Sequence, residues 1–194
     1  MDDTGRARIM LESGTKKVFA GLRSEHYGTI LADPAWPFRT WSAKGRGRSP
    51  DKHYSEMTVK EIMALPVEEL VTSDAVLFLW ITGPQVEVGL DVIRAWRFTF
   101  KTVGFVWVKT GGKFGLGYWT RTGAELCLLA TRGFPKRLHA DVPQVILEPR
   151  REHSRKPDCV HERIERLVSG PYLELFARSR RDGWDCWGNE LDKF

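Results

Sequence analysis

The sequence predicts an α/β fold in which a mostly parallel, buried sheet is flanked by helices. Short runs rich in Val, Ile, Phe and Trp alternate with amphipathic segments, which is the pattern of successive βαβ units. At 194 residues, 42% of them hydrophobic, the chain is long enough to bury one sizeable core. We therefore expect a single folded domain over residues 27–194, preceded by an N-terminal extension over residues 1–26.

Three helices are predicted from start and stop signals. Thr58 followed by Glu61 forms a capping box ahead of an apolar run. Pro84 opens a second helical segment, and Pro157 precedes a third helix predicted over 158–168. All three connect predicted strands and are therefore expected to cover the faces of the sheet.

The strands lie between these helices and two glycine-containing loops, 42–52 and 111–122. In open α/β sheets the loops at strand ends form the ligand sites. In chain order, the strands are predicted at 28–33, 75–81, 99–109, 123–130, 144–147 and 171–176.

Charge and composition restrict the partners and the compartment. The net charge is +5 with a sequence pI near 9.2, and the basic residues occur in clusters, which suits nucleic acid, although a solvated basic surface explains charge alone equally well. No apolar stretch is long enough to span a bilayer, and the N-terminus lacks a signal-peptide pattern, so we expect a cytoplasmic protein without a membrane partner. Three cysteines without a CxxC pair and five scattered histidines predict reduced thiols and a site without a metal.

Asp33-Pro34-Ala35-Trp36 directly follows the first predicted strand and presents a carboxylate, a rigid turn and an aromatic ring together. The carboxylate of Asp33 and the carbonyl of Pro34 can both accept hydrogen bonds from an exocyclic amine, and Trp36 can stack on a nucleobase. A simple turn after a buried strand, with Trp36 in the core, is the competing interpretation of these four residues. These four residues alone therefore do not decide between a base pocket and a simple turn, and other parts of the chain are needed to decide.

Glu174 lies in the last predicted strand, where an acidic side chain needs an explanation. Near the carboxyl end of a parallel strand it can bind the ribose hydroxyls of an adenosine ligand, and an alternating edge strand with Glu174 in solvent is the alternative. Asn189 and Glu190 follow in a turn and are a second set of candidate partners for an adenosine or a methionine end.

Taken together, motifs along nearly the whole domain resemble the N6-adenine methyltransferase family that includes the catalytic subunit of the eukaryotic mRNA adenine methyltransferase and its bacterial and phage relatives. The family motif usually has a second proline where Ala35 stands here, and we expect activity to survive this change. The resemblance rests on residues 30–36, 53–58, 77–82, 106–110, 117–121, 125–128, 151–158, 162–167, 174–178 and 183–190.

The resemblance implies a Rossmann-like, S-adenosylmethionine-dependent methyltransferase that modifies adenine N6. It assigns the catalytic roles to Asp33, Pro34 and Trp36. The resemblance further implies substrate contacts from Tyr54, Lys109, Trp119 and Glu125, and cofactor contacts from Asp33, Lys156, Glu174, Phe176, Arg178, Asn189 and Glu190.

The polymer that carries the adenine is not decided by these residues. A compact chain without a separate recognition domain favours DNA over RNA, with low sequence selectivity. An RNA adenine methyltransferase and a catalytically silent nucleic-acid-binding subunit remain alternatives. The family includes both heterodimers and simpler assemblies, so a homodimer and a heterodimer both stay open.

Overall fold

The structure is a computed structural model, and it describes residues 18–36, 57–112, 119–152 and 154–194. The described chain forms one seven-stranded sheet with helices on both faces, in the spatial order β5-β3-β4-β2-β1-β6-β7. Its elements, in chain order, are β1 (Tyr27–Ala32), α1 (Val59–Met63), β2 (Val71–Ile81), α2 (Val86–Ala95), β3 (Thr99–Thr110), β4 (Ala124–Arg132), β5 (Val145–Pro149), α3 (Cys159–Leu167), β6 (Tyr172–Leu175) and β7 (Trp184–Trp187).

The predicted α/β fold with a mostly parallel sheet is confirmed, and one strand makes the sheet mixed. β1 pairs in parallel with β2 and β6, β6 with β7, and β3 with β5. β4 lies between β2 and β3 and is antiparallel to both. Six strands therefore point the same way, and only the amino end of β4 meets their carboxyl ends.

Each face of the sheet carries its own hydrophobic core. Ile62 of α1 and Val92 and Ile93 of α2 pack with alternate strand residues on one face. Val160 and Ile164 of α3 pack on the other face. The helix starts follow their sequence signals, since Thr58 and Glu61 form the predicted capping box at α1. Among the described residues, none of the helices combines the length and the apolar character that a bilayer-spanning segment requires.

The six predicted strands are all present with small shifts at their ends, whereas β7 was not predicted. Within the predicted extension over residues 1–26, Phe19 is buried and packs edge-on against Trp187 of β7, with ring centroids 5.0 Å apart. The indole nitrogen of Trp187 donates to the Val18 carbonyl at 3.1 Å. This part of the extension therefore packs against the sheet, next to β7.

Candidate active site

One edge of the sheet gathers nearly all the polar groups that the sequence singled out. We call it the site edge: the carboxyl ends of the six codirectional strands and the amino end of β4. Asp33 follows β1, Lys109 lies near the end of β3, and Glu125 lies at the start of β4. Lys156 lies between β5 and α3, and Arg178 follows β6. Ligands of open α/β sheets bind at this edge because the backbone there opens into loops.

Two cavities lie at the site edge and share Ala35 and Arg178. The larger, which we call the charged cavity, has a volume of about 520 Å³. The smaller, which we call the aromatic cavity, has a volume of about 200 Å³. The charged cavity is lined by Asp33, Pro34, Ala35, Trp36, Ile81, Thr82, Gln85, Trp107, Lys109, Glu125, Arg150, Arg151, Glu152, Ser154, Arg155, Lys156 and Arg178. The aromatic cavity is lined by Ala35, Met57, Ile62, Phe176, Ala177, Arg178, Trp187, Gly188, Asn189 and Glu190.

A chain of alternating charges, which we call the ion chain, runs through both cavities. Lys156 Nζ lies 2.6 Å from Asp33 Oδ2 and 3.4 Å from Glu125 Oε2. The other carboxylate oxygen of Glu125 pairs with Lys109 Nζ. At the opposite end, Arg178 Nη1 lies 3.5 Å from Asp33 Oδ2, and Arg178 Nε lies 3.5 Å from Glu190 Oε2. Its members are Lys109, Glu125, Lys156, Asp33, Arg178 and Glu190.

Burial and neighbouring charges act in opposite directions on the pKa values of two members of the ion chain, Glu125 and Lys156. Five of its side chains are only 13–18% exposed. Burial by itself would raise the pKa of Glu125, but Lys156 and Lys109 outweigh it, so the pKa lies below its ordinary value. Burial would likewise lower the pKa of Lys156, but Asp33 and Glu125 outweigh it and the pKa is raised. Each charge is therefore held by its neighbours, and removing one member leaves an uncompensated charge in a partly dry site.

Trp36 is fixed in position by the strand next to it. Its indole Nε1 donates to the carbonyl of Trp80, the penultimate residue of β2, at 2.8 Å. The Trp80 ring in turn lies under Lys156, with Nζ 5.5 Å from the ring centroid. The hydrogen bond places the Trp36 ring in the wall of the charged cavity, where it can stack on a planar ligand.

Arg178 holds two backbone segments of the site together. Besides its two carboxylate partners, its Nη1 donates to the Ser154 carbonyl at 3.0 Å. Ser154 and Phe176 both adopt positive φ, at 69° and 63°. Residues other than glycine rarely occupy this region, and such strain tends to persist where the surroundings hold the backbone for function.

Three of the predicted site residues lie away from the two cavities or outside the described chain. Glu174 lies on the α3 face of the sheet, where its Oε2 is 2.8 Å from His161 Nε2. Trp119 is 93% exposed and is not among the residues that line either cavity. Tyr54 lies outside the described residues. Their assigned contacts with ribose and with the base stay predictions.

The remaining predicted residues line the two cavities, which leaves their assigned roles as predictions, and other lining residues were not predicted. Asp33, Pro34, Trp36, Lys109, Glu125 and Lys156 line the charged cavity, Phe176, Asn189 and Glu190 line the aromatic cavity, and Arg178 lines both. Thr82 was not predicted, although it directly follows β2 at the same edge as Asp33, and extending the strand-end argument to β2 would have found it. Trp187 was missed because β7 was missed.

Two further observations bear on the chemistry of the site, one on a cysteine and one on metal ligands. Burial and the charge of Asp33 raise the pKa of the Cys127 thiol well above its ordinary value, so this cysteine stays protonated and is a poor nucleophile. Within the described ranges, no group of three or more His, Cys, Asp or Glu side chains is arranged to hold a metal ion. The arrangement instead offers fixed hydrogen-bond acceptors, an aromatic wall and balanced charge.

Comparison with known proteins finds one family model and several methyltransferases that are similar to this chain. A family model described as MT-A70 matches residues 27–190. The Type II methyltransferase M.MunI of Mycoplasma sp is 32% identical over 193 residues, which cover 90% of this chain and 82% of that protein. The N(6)-adenosine-methyltransferase MT-A70-like protein of Drosophila melanogaster is 31% identical over 176 residues, 86% of this chain and 27% of the relative.

The human N(6)-adenosine-methyltransferase catalytic subunit METTL3 is 30% identical over 176 residues, 86% of this chain and 28% of its own length. The chain thus spans about a quarter of the length of these two eukaryotic relatives and most of the length of M.MunI. Because the family model covers the sheet from β1 through β7 and both cavities, the chain belongs to the MT-A70 family.

Proposed function

We propose that this chain transfers the methyl group of S-adenosylmethionine to N6 of adenine in nucleic acid, and that the polymer is DNA read with low sequence selectivity. The observation that carries the proposal is the arrangement around Asp33. Its carboxylate stands beside Pro34 and Trp36 in the charged cavity, and Lys156 and Arg178 both contact one of its oxygens, Oδ2.

The two oxygens of Asp33 have different surroundings. Both cations contact Oδ2, and no hydrogen bond or ion pair among the described residues involves Oδ1. Lys156 and Arg178 therefore orient the carboxylate through Oδ2, and Oδ1 remains available to accept a hydrogen bond from an exocyclic amine. We assign the second acceptor to the carbonyl of Pro34, the next residue in the chain, which also lines the charged cavity.

This arrangement suits a weak nitrogen nucleophile. The N6 lone pair of adenine is delocalised into the ring, and two acceptors on the amine hydrogens favour a more tetrahedral nitrogen whose lone pair is free to react. Asp33 also stabilises the positive charge that develops on this nitrogen. Trp36, fixed by its hydrogen bond to Trp80, holds the base plane in the orientation that the reaction needs.

The two cavities fit the two ends of S-adenosylmethionine, which supplies an electrophilic methyl group on a sulfonium. The aromatic cavity offers Phe176 and Trp187 for an adenine ring, with the amide of Asn189 and the carboxylate of Glu190 for polar atoms of the adenosine. The charged cavity offers further cations, Arg150 and Arg155, for a carboxylate such as that of the methionine end, while Lys156 is engaged by Asp33.

Support for DNA comes from the similarity to the Type II methyltransferase M.MunI, of which the match covers 82%. Support for low selectivity comes from the helices. Each helix of the described residues contributes to the cores of the sheet, so none stands apart as a base-reading module. We also propose a cytoplasmic location, which the three free cysteines favour.

The decisive experiment follows isotope-labelled methyl transfer from S-adenosylmethionine to matched DNA and RNA oligonucleotides, single- and double-stranded, with digestion to nucleosides. We expect N6-methyladenine in DNA. The variant Asp33→Asn keeps the shape of the side chain and removes its charge, and it should lower turnover by about 10³-fold. Calorimetry should find its affinity for S-adenosylmethionine largely intact, because the aromatic cavity is unchanged.

Each alternative gives a different result. Methylation of RNA but not DNA would correct the polymer and keep the reaction. Cofactor binding with no product on any oligonucleotide would indicate that a partner is required. Retained turnover in Asp33→Asn would refute the role of the carboxylate, and an absence of cofactor binding in the unmodified protein would favour a silent nucleic-acid-binding subunit.

A further inference from the structure

The edge of the sheet opposite the site carries an exposed aromatic side chain on a well-fixed loop. We call the segment from Gly133 to Leu138 the far loop; it follows β4, whose carboxyl end lies away from the site edge. Phe134 is 92% exposed and Leu138 is 52% exposed. A single exposed apolar side chain is ordinary, but two on one short loop form an apolar patch, and apolar patches with polar surroundings mark interaction surfaces.

The backbone of the far loop is held at both ends. The Phe134 amide donates to Asp74 Oδ1 at 2.7 Å, and the Leu138 amide donates to the Leu167 carbonyl at 2.8 Å. Gly133 has a φ of 61°, and a Cβ there would lie 2.1 Å from Asp74 Oδ1 and 2.4 Å from the Ser73 carbonyl oxygen. Only glycine fits this turn, so the backbone that carries Phe134 is held in one conformation.

The charge around Phe134 determines what kind of partner fits. Lys136 and Arg137 are exposed on the far loop, and neither has an ion-pair partner among the described residues. Phe100, 41% exposed, and the exposed Lys101 lie on β3 at the same edge of the sheet. The carboxylate of Asp74, next to the far loop, accepts a hydrogen bond from the Phe134 backbone amide. The surface therefore combines aromatic rings with unpaired cations.

We propose that the far loop is a second contact for the nucleic acid whose adenine occupies the charged cavity, with Phe134 stacking on a base and Lys136 and Arg137 meeting phosphates. The proposal rests on the proposed function. Exposed aromatic rings beside cations are the combination that binds single-stranded nucleic acid without sequence preference. An acidic protein segment would complement the cations, but the stacking ring gives nucleobases the better match.

The geometry of β4 sets the length of polymer that can reach both places. We call the opposite ends of the strands the far edge. Arg132 at the far edge lies seven positions after Glu125 at the site edge, which at about 3.4 Å per residue is roughly 24 Å. Phe134 lies beyond Arg132. A substrate must therefore extend roughly 25–30 Å from the reactive adenine to touch the far loop. Oligonucleotides with only two nucleotides on each side of the adenine are too short.

The test compares single-stranded DNA of 5 and 30 nucleotides, each with one central adenine, in the methyl-transfer assay. We expect the triple variant Phe134→Ala, Lys136→Ala, Arg137→Ala to lower kcat/KM about tenfold on the 30-mer and to leave the 5-mer unchanged. The matched control, Phe134→Tyr, Lys136→Arg, Arg137→Lys, keeps ring and charge and should behave as the unmodified chain. Binding of the 30-mer should also depend less on salt, with a slope shallower by about 1.4 at roughly 0.7 per lost phosphate contact.

Equal effects of the triple variant on both lengths, or no effect on either, would overturn this proposal; the second result would be expected if the far loop docks a protein instead. Failure of the proposed function is distinguishable, because the unmodified chain would then methylate neither oligonucleotide. Thermal unfolding of the triple variant should match that of the control, since all three side chains are largely exposed.

Discussion

Charged side chains are buried and paired at the site edge of the sheet, whereas they are exposed at the far edge. At the site edge, five members of the ion chain are 13–18% exposed, and each of its six members has an oppositely charged neighbour. At the far edge, ion pairs such as Glu68 with Arg97 lie in solvent, and Lys136 and Arg137 have no such partner among the described residues. A buried charge needs an opposite charge beside it to offset the cost of desolvation, and the pair then holds both side chains in position. Exposed charges contribute little to the stability of the fold, but exposed cations can attract a polyanion.

The largest difference between the two edges is expected when one carboxylate is removed from each of them. Glu125→Gln leaves Lys109 and Lys156 facing each other without the charge between them, and should lower the free energy of unfolding by about 3 kcal/mol. Glu68→Gln, which removes the partner of Arg97 at the far edge, should change it by less than about 0.5 kcal/mol. Urea unfolding of both variants measures the difference. Similar losses in the two would show that burial does not separate the edges.

A second experiment asks whether Lys156 acts by orienting Asp33. Lys156→Met removes the 2.6 Å contact to Asp33 Oδ2, and turnover at saturating S-adenosylmethionine should fall about 10²-fold because the carboxylate is no longer held. Lys156→Arg keeps a cation and should recover part of the loss. Cofactor affinity, measured by calorimetry, should stay nearly unchanged in both variants. A large loss of affinity with normal turnover would instead place Lys156 on the cofactor, as the family resemblance implies.

The smallest expected effect is the pH dependence of the ion chain. The folded state lowers the pKa of Glu125 below its ordinary 4.5, so its contribution to stability is complete above that pH and is lost as the pH falls through the lowered value. It raises the pKa of Lys156 above 10.5, so that contribution is complete below 10.5 and is lost as the pH rises through the raised value. Unfolding measured across pH should show a constant gap between the unmodified chain and Glu125→Gln at neutral pH that narrows in acid. A gap that persists at about pH 2 would contradict the assignment.

The sequence predicts the elements well because each has a local signature. The six predicted strands differ from the observed ones mainly at their ends, and the capping box of Thr58 and Glu61 begins α1 as expected. β7 was missed because Trp184–Trp187 is only four residues long and contains an Asp and a Cys, so it lacks a clear strand pattern. The antiparallel direction of β4 has no local signature at all, since the pattern along a buried strand does not depend on the direction of its neighbours.

The sequence named most of the residues that line the two cavities, but it did not predict which of them pair. Asp33 and Lys156 are 123 positions apart in the chain, and nothing in either segment indicates that they touch. Glu174 illustrates the remaining limit: Leu173 and Leu175 are buried on the α1 and α2 face, so the alternation of a strand turns Glu174 toward α3 and His161. Which face holds a ligand depends on the register of several strands together.

Ala35 and Arg178 form part of the walls of both cavities, and this has a thermodynamic consequence. A ligand that shifts Arg178 while occupying one cavity alters the binding free energy available in the other. Such coupling is reciprocal: if the cofactor tightens base binding by some factor, the base tightens cofactor binding by the same factor. The order in which the two ligands arrive can then change rates but not the total affinity of the ternary complex, so measuring either ligand's affinity with the other present determines the coupling for both.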